Sequence, residues 1–187
     1  MARMLMAAAL AGVVMAAGYS VAGDSKDACL QAGDSIGPFY VTKVSGPEDG
    51  VAVGKTLCYR CKYGNRPMVM VFARDMGGKV AELAKGLDKV VAENEDAQLR
   101  SFITVIGGEV ESLTKDAEKF AKQAGIKNLP VVVAEDAENG PSVYKLDPKA
   151  EVTVVVAKEG KVTAQHTFAA NEINIDAVMG EVKGLLN

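Results

Sequence analysis

Residues 68–73 read MVMVFA, six consecutive apolar side chains with no alternation. A run of that length, rich in residues that suit a strand, marks a strand buried on both faces, which requires a sheet with material packed on either side. The sequence on either side of it agrees with that requirement. After it, Val80, Leu83, Ala84, Leu87, Val90 and Val91 recur at three-and-four spacing, the pattern of a helix with one apolar face.

The alternation continues along the chain. Ser101–Ile106 reads as a second strand, and a second helix carries Leu113, Ala117, Phe120, Ala121 and Ala124 before Gly125, a helix-ending glycine. Leu129–Ala134 reads as a third strand, and residues 136–147 are rich in turn formers. Glu151–Ala157 and Lys161–Phe168 then form two strands joined at Lys158-Glu159-Gly160, a hairpin signal. A last helix shows Ile175, Val178, Met179, Val182, Leu185 and Leu186 on one face. Upstream, residues 38–57 look extended, with breaks at Ser45-Gly46-Pro47 and Gly54. Strand–helix alternation closed by a hairpin and a helix predicts an α/β fold with a mixed sheet.

The first 22 residues have a different character. Arg3 precedes an apolar stretch from Met4 to Ala17, and small residues end at Ala22. This is the pattern of a secretory signal peptide cleaved near Ala22, and the run is short for a membrane anchor. The expected organisation is a signal peptide over 1–22, a flexible leader over 23–37 and one domain over 38–187. The protein is then exported, periplasmic or secreted, without a stable membrane anchor. With 21 basic and 24 acidic residues, a net charge of −3, the chain lacks the basic excess of a general nucleic-acid binder.

The residues with chemical potential are few. There is one histidine, His166, and there are three cysteines. Cys58 and Cys61 are separated by two residues in KTLCYRCKYGNR, a window with Lys55, Arg60, Lys62 and Arg66 and no acidic residue. Two thiols at this spacing can close a disulfide and exchange it with a partner, and nearby cations favour the nucleophilic thiolate. In an oxidising compartment the pair is expected as a disulfide at rest. The same spacing also suits a structural staple. A metal site needs more ligands, with Cys29, His166, Met68 and Met70 as the candidates, and falls short of the usual zinc set. No cofactor is expected. Cys29 is the odd thiol, His166 falls in a strand, and Asp75 reads as a helix-start residue. Acidic residues on the helices read as solvated.

The order of these elements resembles the thioredoxin-like superfamily, in particular its redoxin branch of peroxiredoxins and exported thiol reductases. The resemblance spans about residues 35–187 and rests on RPMVMVFARD, LPVVVAEDAENGPSVYKL and VTVVVAKEGKV in that order. It implies a thioredoxin-like mixed sheet flanked by helices, here with an N-terminal extended or hairpin extension. It also implies reactive cysteines just after the central strand, where this chain has Arg74-Asp75-Met76-Gly77. The family's proline before the penultimate strand falls on Glu151; an alternative alignment would use Pro130. The CxxC precedes the central strand instead. Either the chain folds back to bring Cys58 and Cys61 to the usual end of the sheet, or they stand apart on a protruding hairpin.

The resulting expectation is a thioredoxin-like protein exchanging disulfides with a protein partner through Cys58, the attacking thiol, and Cys61, the resolving one, with Arg60 and Lys62 favouring the thiolate. The alternative is a non-catalytic redoxin-like binding or scaffold domain whose disulfide is structural.

Overall fold

The computed structural model describes residues 29–186. The expected signal peptide lies outside the described residues. The elements are β1 (Val41–Ser45), β2 (Thr56–Leu57), a one-turn helix α1 (Tyr59–Tyr63), β3 (Met68–Ala73), α2 (Gly78–Glu93), β4 (Arg100–Val105), α3 (Val110–Ala124), β5 (Val131–Ala134), a 3-10 turn at Ser142–Tyr144, β6 (Val152–Lys158), β7 (Lys161–Phe168) and α4 (Ile175–Leu186).

The strands make one sheet in the order β2-β1-β5-β4-β3-β6-β7. β3, β4 and β5 run parallel, and β6 and β7 return antiparallel, with Met68 opposite Ala157 and Ala73 opposite Val152. The apolar run of β3 is therefore the central strand, and all six of its residues are buried. Its alternate side chains divide between two cores. Val69, Val71 and Ala73 face the layer of α2, α3 and α4. Met68, Met70 and Phe72 face the other side, where Phe102, Tyr59, Tyr63, Tyr144 and Phe39 close over the sheet. A strand with no polar face is what such two-sided covering requires.

The two covers differ in kind. One is built from three amphipathic helices, and the other from α1, the 3-10 turn and the extended chain over 30–39. Within that chain, residues 33–36, which fall in the stretch expected as a leader, run along the start of β7. Gly33 N donates to Val162 O at 2.8 Å, Val162 N to Asp34 O at 2.9 Å, and Ile36 N to Gly160 O at 3.1 Å. Leu30 and Ile36 are buried in the aromatic-rich core.

β1 and β2 pair antiparallel and form the N-terminal hairpin extension, with Val41 opposite Leu57. Their long connection turns at Gly46, where φ is +127° and an added Cβ would lie 2.6 Å from Pro130 Cα, so only glycine fits. Gly125 adopts the left-handed conformation at the end of α3, as its position predicts. Asp88 departs from the solvated role expected of helical carboxylates. Its Oδ1 accepts from Lys127 N at 2.9 Å and Asn128 N at 2.6 Å, which ties the entry of β5 to α2.

Candidate functional site: a disulfide at the entry of the central strand

Cys58 and Cys61 form a disulfide with Cα atoms 5.2 Å apart. Cys58 caps α1, and its Sγ accepts a hydrogen bond from Cys61 N at 3.0 Å. The helix is only five residues long, too short to persist by itself. Burial of its two tyrosines holds it. Tyr59 and Tyr63, four apart and therefore on one side of the turn, are both buried against Phe102, with centroid distances of 5.7 and 6.0 Å. Cys61 and Lys62 are left exposed and Cys58 and Arg60 half-buried. Arg60 Nε donates to Ile36 O at 3.1 Å, and Arg66 Nη1 donates to Tyr63 O at 3.0 Å, so two of the cations in the basic window fasten the ends of the motif.

Beneath α1 lies a buried polar cluster. Lys43 is 2% exposed, and its Nζ donates to Pro47 O at 2.6 Å, Asp49 Oδ1 at 2.8 Å and Val51 O at 2.9 Å, which satisfies all three protons. Burial by itself would raise the pKa of Asp49. The hydrogen bond from Lys43, with those from Tyr59 and Val51 N and the charge of Lys43, outweighs it and leaves the carboxyl below its ordinary range. The Asp49 Oδ2 atom and the Tyr59 hydroxyl have only each other as partners, at a geometry short of a good hydrogen bond. They still feel one another: burial first, then Asp49, push the Tyr59 pKa up, which keeps the phenol neutral. Sequence reading missed this cluster. Lys43 falls within an extended segment, and nothing local marks a strand lysine as buried.

The disulfide sits at the end of the sheet where β3 begins. Arg60 approaches Gly160 in the β6–β7 turn, and Tyr63 and Lys62 share a cavity with Arg100 at the start of β4. The chain does not carry the pair round to the end of β3, and the pair does not protrude on a hairpin; it is packed on a short helix at the opposite end.

The position after β3, where the resemblance implies cysteines, is structurally complete without them. Arg74 N donates to Glu151 O at 2.8 Å, and the Arg74 guanidinium donates to Glu138 O at 2.8 Å and Asn139 O at 3.2 Å. Asp75 Oδ1 accepts from Gly77 N at 2.6 Å, ahead of the helix cap at Gly77. Glu151 lies immediately before β6, the penultimate strand beside β3, and its carboxylate accepts from Ala170 N at 2.6 Å. Pro130 precedes β5, which two strands separate from β6, so Glu151 is the residue at the place where the resemblance implies a proline.

His166 lies on β7 opposite Val154 and stacks on Phe168 with centroids 6.0 Å apart. Cys29 is a free thiol whose Sγ lies 3.2 Å from Gln31 Nε2. Met68 and Met70 are fully buried. Among the described residues, no group of three His, Cys, Asp or Glu side chains is placed to hold a metal.

Strand order, crossovers and the closing hairpin define the thioredoxin-like fold in its redoxin form, with the CxxC displaced to the far end of the central strand. Solved structures share that fold. A Chlorobium tepidum protein described as a thiol:disulfide interchange protein DsbE superposes with a TM-score of 0.64 at 16% identity, covering 84% of this chain and 99% of its own. Peroxidoxin BcpB of Mycobacterium tuberculosis gives 0.62 at 14% identity, over 84% and 96%. A secreted M. tuberculosis disulfide oxidoreductase homologous to E. coli DsbE gives 0.57 at 14% identity, over 78% and 95%. No protein-family model and no curated protein matches the chain. No helix among the described residues is long and apolar enough to cross a membrane.

Proposed function

We propose that this protein exchanges disulfides with a protein partner through Cys58 and Cys61, after export and removal of residues 1–22. The observation that carries the reading is a closed disulfide, half-exposed at Cys58 and exposed at Cys61, on a rigidly anchored turn in a basic window. Cys58 is the attacking thiol. Once reduced, its sulfur keeps the Cys61 N–H as a donor and sits one turn from Lys62 and two positions from Arg60 in the chain, all of which favour the thiolate. It attacks a partner disulfide, forming a mixed disulfide and releasing one partner thiolate. Cys61 then attacks Cys58 Sγ, releases the second partner thiolate and restores the protein disulfide. Solved relatives in fold include a secreted disulfide oxidoreductase, which is consistent with the same chemistry and location.

Measurement of the reduction potential and of insulin reduction by the purified protein tests this. Turnover above that of Cys58→Ser supports it. A disulfide too stable to cycle, with turnover equal to that variant, overturns it. N-terminal sequencing of the protein recovered outside the cytoplasm tests the export step; a chain that still begins at Met1 defeats it.

A second reading is favoured by one observation, the burial of Tyr59 and Tyr63 at the end of the sheet opposite the family's reactive position. The protein is then a redoxin-like binding or scaffold domain, and the disulfide fastens α1 to the core. It predicts a lower melting temperature for Cys58→Ser without any lost turnover.

A further inference from the structure

The end of the sheet that carries the disulfide also contains a cavity of about 610 Å³, set between α1 on one face and the end of α2 on the other. That size lies within the range of small-molecule sites, roughly 300–1,000 Å³. Lys62, Arg66 and Arg100 line it. Among the described residues, none of the three forms an ion pair. Arg66 spends two of its nitrogens on Gln98 Oε1 and on the carbonyls of Lys62 and Tyr63, and Arg100 uses only Nη1, on Leu99 O at 3.0 Å. Both guanidinium groups retain free donors.

Two carboxylates share the wall. Asp49 is matched by the buried Lys43 at 2.8 Å, so Glu95 is the one uncompensated anion facing three cations. Ser101 supplies an independent sign of an absent ligand. It lines the cavity, is 1% exposed, and its buried hydroxyl has no hydrogen-bond partner. Leaving such a group unmet costs about 1–3 kcal/mol, which an incoming oxygen would offset. Lys62 is one helical turn from Cys58, on the same side of α1. Neither cysteine lines the cavity, and Lys62 is the wall residue that stands one helical turn from the pair's Cys58.

We propose that the cavity binds a low-molecular-weight thiol bearing carboxylates, which serves as the reductant of the Cys58–Cys61 disulfide. The proposal rests on the exchange reading above and names the co-substrate for the same site. Arg100 and Lys62 take the carboxylates by charge-assisted hydrogen bonds, and Ser101 meets one of their oxygens. The thiolate attacks Cys58 Sγ, the protein S–S bond breaks, and a mixed disulfide forms as Cys61 leaves as a thiolate. A second thiolate attacks the small molecule's own sulfur in that mixed disulfide and releases Cys58. Two small thiols become one disulfide, and their two protons end on the protein cysteines.

The test uses mercaptosuccinate and 2-mercaptoethanol on the oxidised full-length protein, each rate normalised to that thiol's rate against a small neutral disulfide. Mercaptosuccinate is expected to show saturation and a normalised preference of about tenfold, the worth of one charge-assisted hydrogen bond. Arg100→Gln, and separately Ser101→Ala, should remove most of that preference at an unchanged melting profile. A normalised ratio near one with linear concentration dependence overturns the proposal. A second arm measures binding of S-methylated mercaptosuccinate to the Cys58→Ser/Cys61→Ser protein, where no exchange can occur. Binding that Arg100→Gln abolishes supports the cavity whatever the fate of the exchange reading, and no binding overturns the cavity even if exchange is found. Binding with no rate preference overturns the assignment of the ligand as the reductant.

Discussion

The two ends of β3 do opposite things with the same kind of frame. At its exit, Arg74, Asp75 and Glu151 hold the neighbouring turns by direct hydrogen bonds to backbone groups, and no thiol stands there among the described residues. At its entry, a disulfide, a cation-lined cavity, the loosely paired Asp49 carboxylate and Tyr59 hydroxyl, and the unpartnered Ser101 hydroxyl lie within one small region. Satisfied polar groups stabilise a turn and leave it little to offer a ligand. Unsatisfied ones are tolerated where something else stabilises the surroundings, and here Tyr59, Tyr63 and Phe102 do so. A thioredoxin-like sheet can thus carry its cysteine pair at the end the fold does not ordinarily use, provided an aromatic anchor replaces the long helix.

The sharpest test of that contrast is functional. Cys58→Ser should reduce insulin-reductase turnover to the uncatalysed background, while Asp75→Ala at the other end should leave turnover unchanged. Equal losses from the two variants would break the assignment of chemistry to the entry end.

Next in size is the aromatic anchor. Phe102→Ala removes the ring under both tyrosines and should cost about 3–5 kcal/mol in denaturant unfolding. Protease cleavage near α1 should appear in the native state of that variant. Intact α1 in the variant would show that the disulfide, rather than the aromatic packing, holds the turn.

Removing the disulfide itself should cost less, about 2 kcal/mol for so short a loop. Comparison of the melting of Cys58→Ser/Cys61→Ser with the oxidised protein checks it. At the exit end, Asp75→Ala gives up one hydrogen bond to Gly77 N and should cost about 1 kcal/mol.

Acid should separate the ends as well. The folded-state pKa of Asp49 is depressed, so the stability it contributes is present above its ordinary value of 3.8 and is lost as pH falls through the lowered one. Melting temperature followed down to and below that value should drop, and Asp49→Asn should flatten this part of the profile. An identical drop in the variant would remove Asp49 as its source.

Much of the fold was legible because it rests on periodicity. Met68–Ala73 was readable to the residue, the alternation of strands and helices fixed the parallel core, and the glycine at 160 marked the closing hairpin. α1 was not legible, because a five-residue helix has no periodic signal and forms only when Tyr59 and Tyr63 find Phe102 thirty-nine or more positions along the chain. The cysteine pair and its basic window were plain from spacing and composition. The cavity, Lys43–Asp49 and the orphaned Ser101 hydroxyl were not, since each depends on segments far apart in sequence.

Local pattern thus determined the elements, their order and the identity of the thiols, since hydrophobic spacing and covalent reach act within a few residues. Only the tertiary structure decided which end of β3 the disulfide occupies, what anchors it and what lies beside it. Those outcomes follow from packing between side chains that sequence distance keeps apart, and no local preference encodes them.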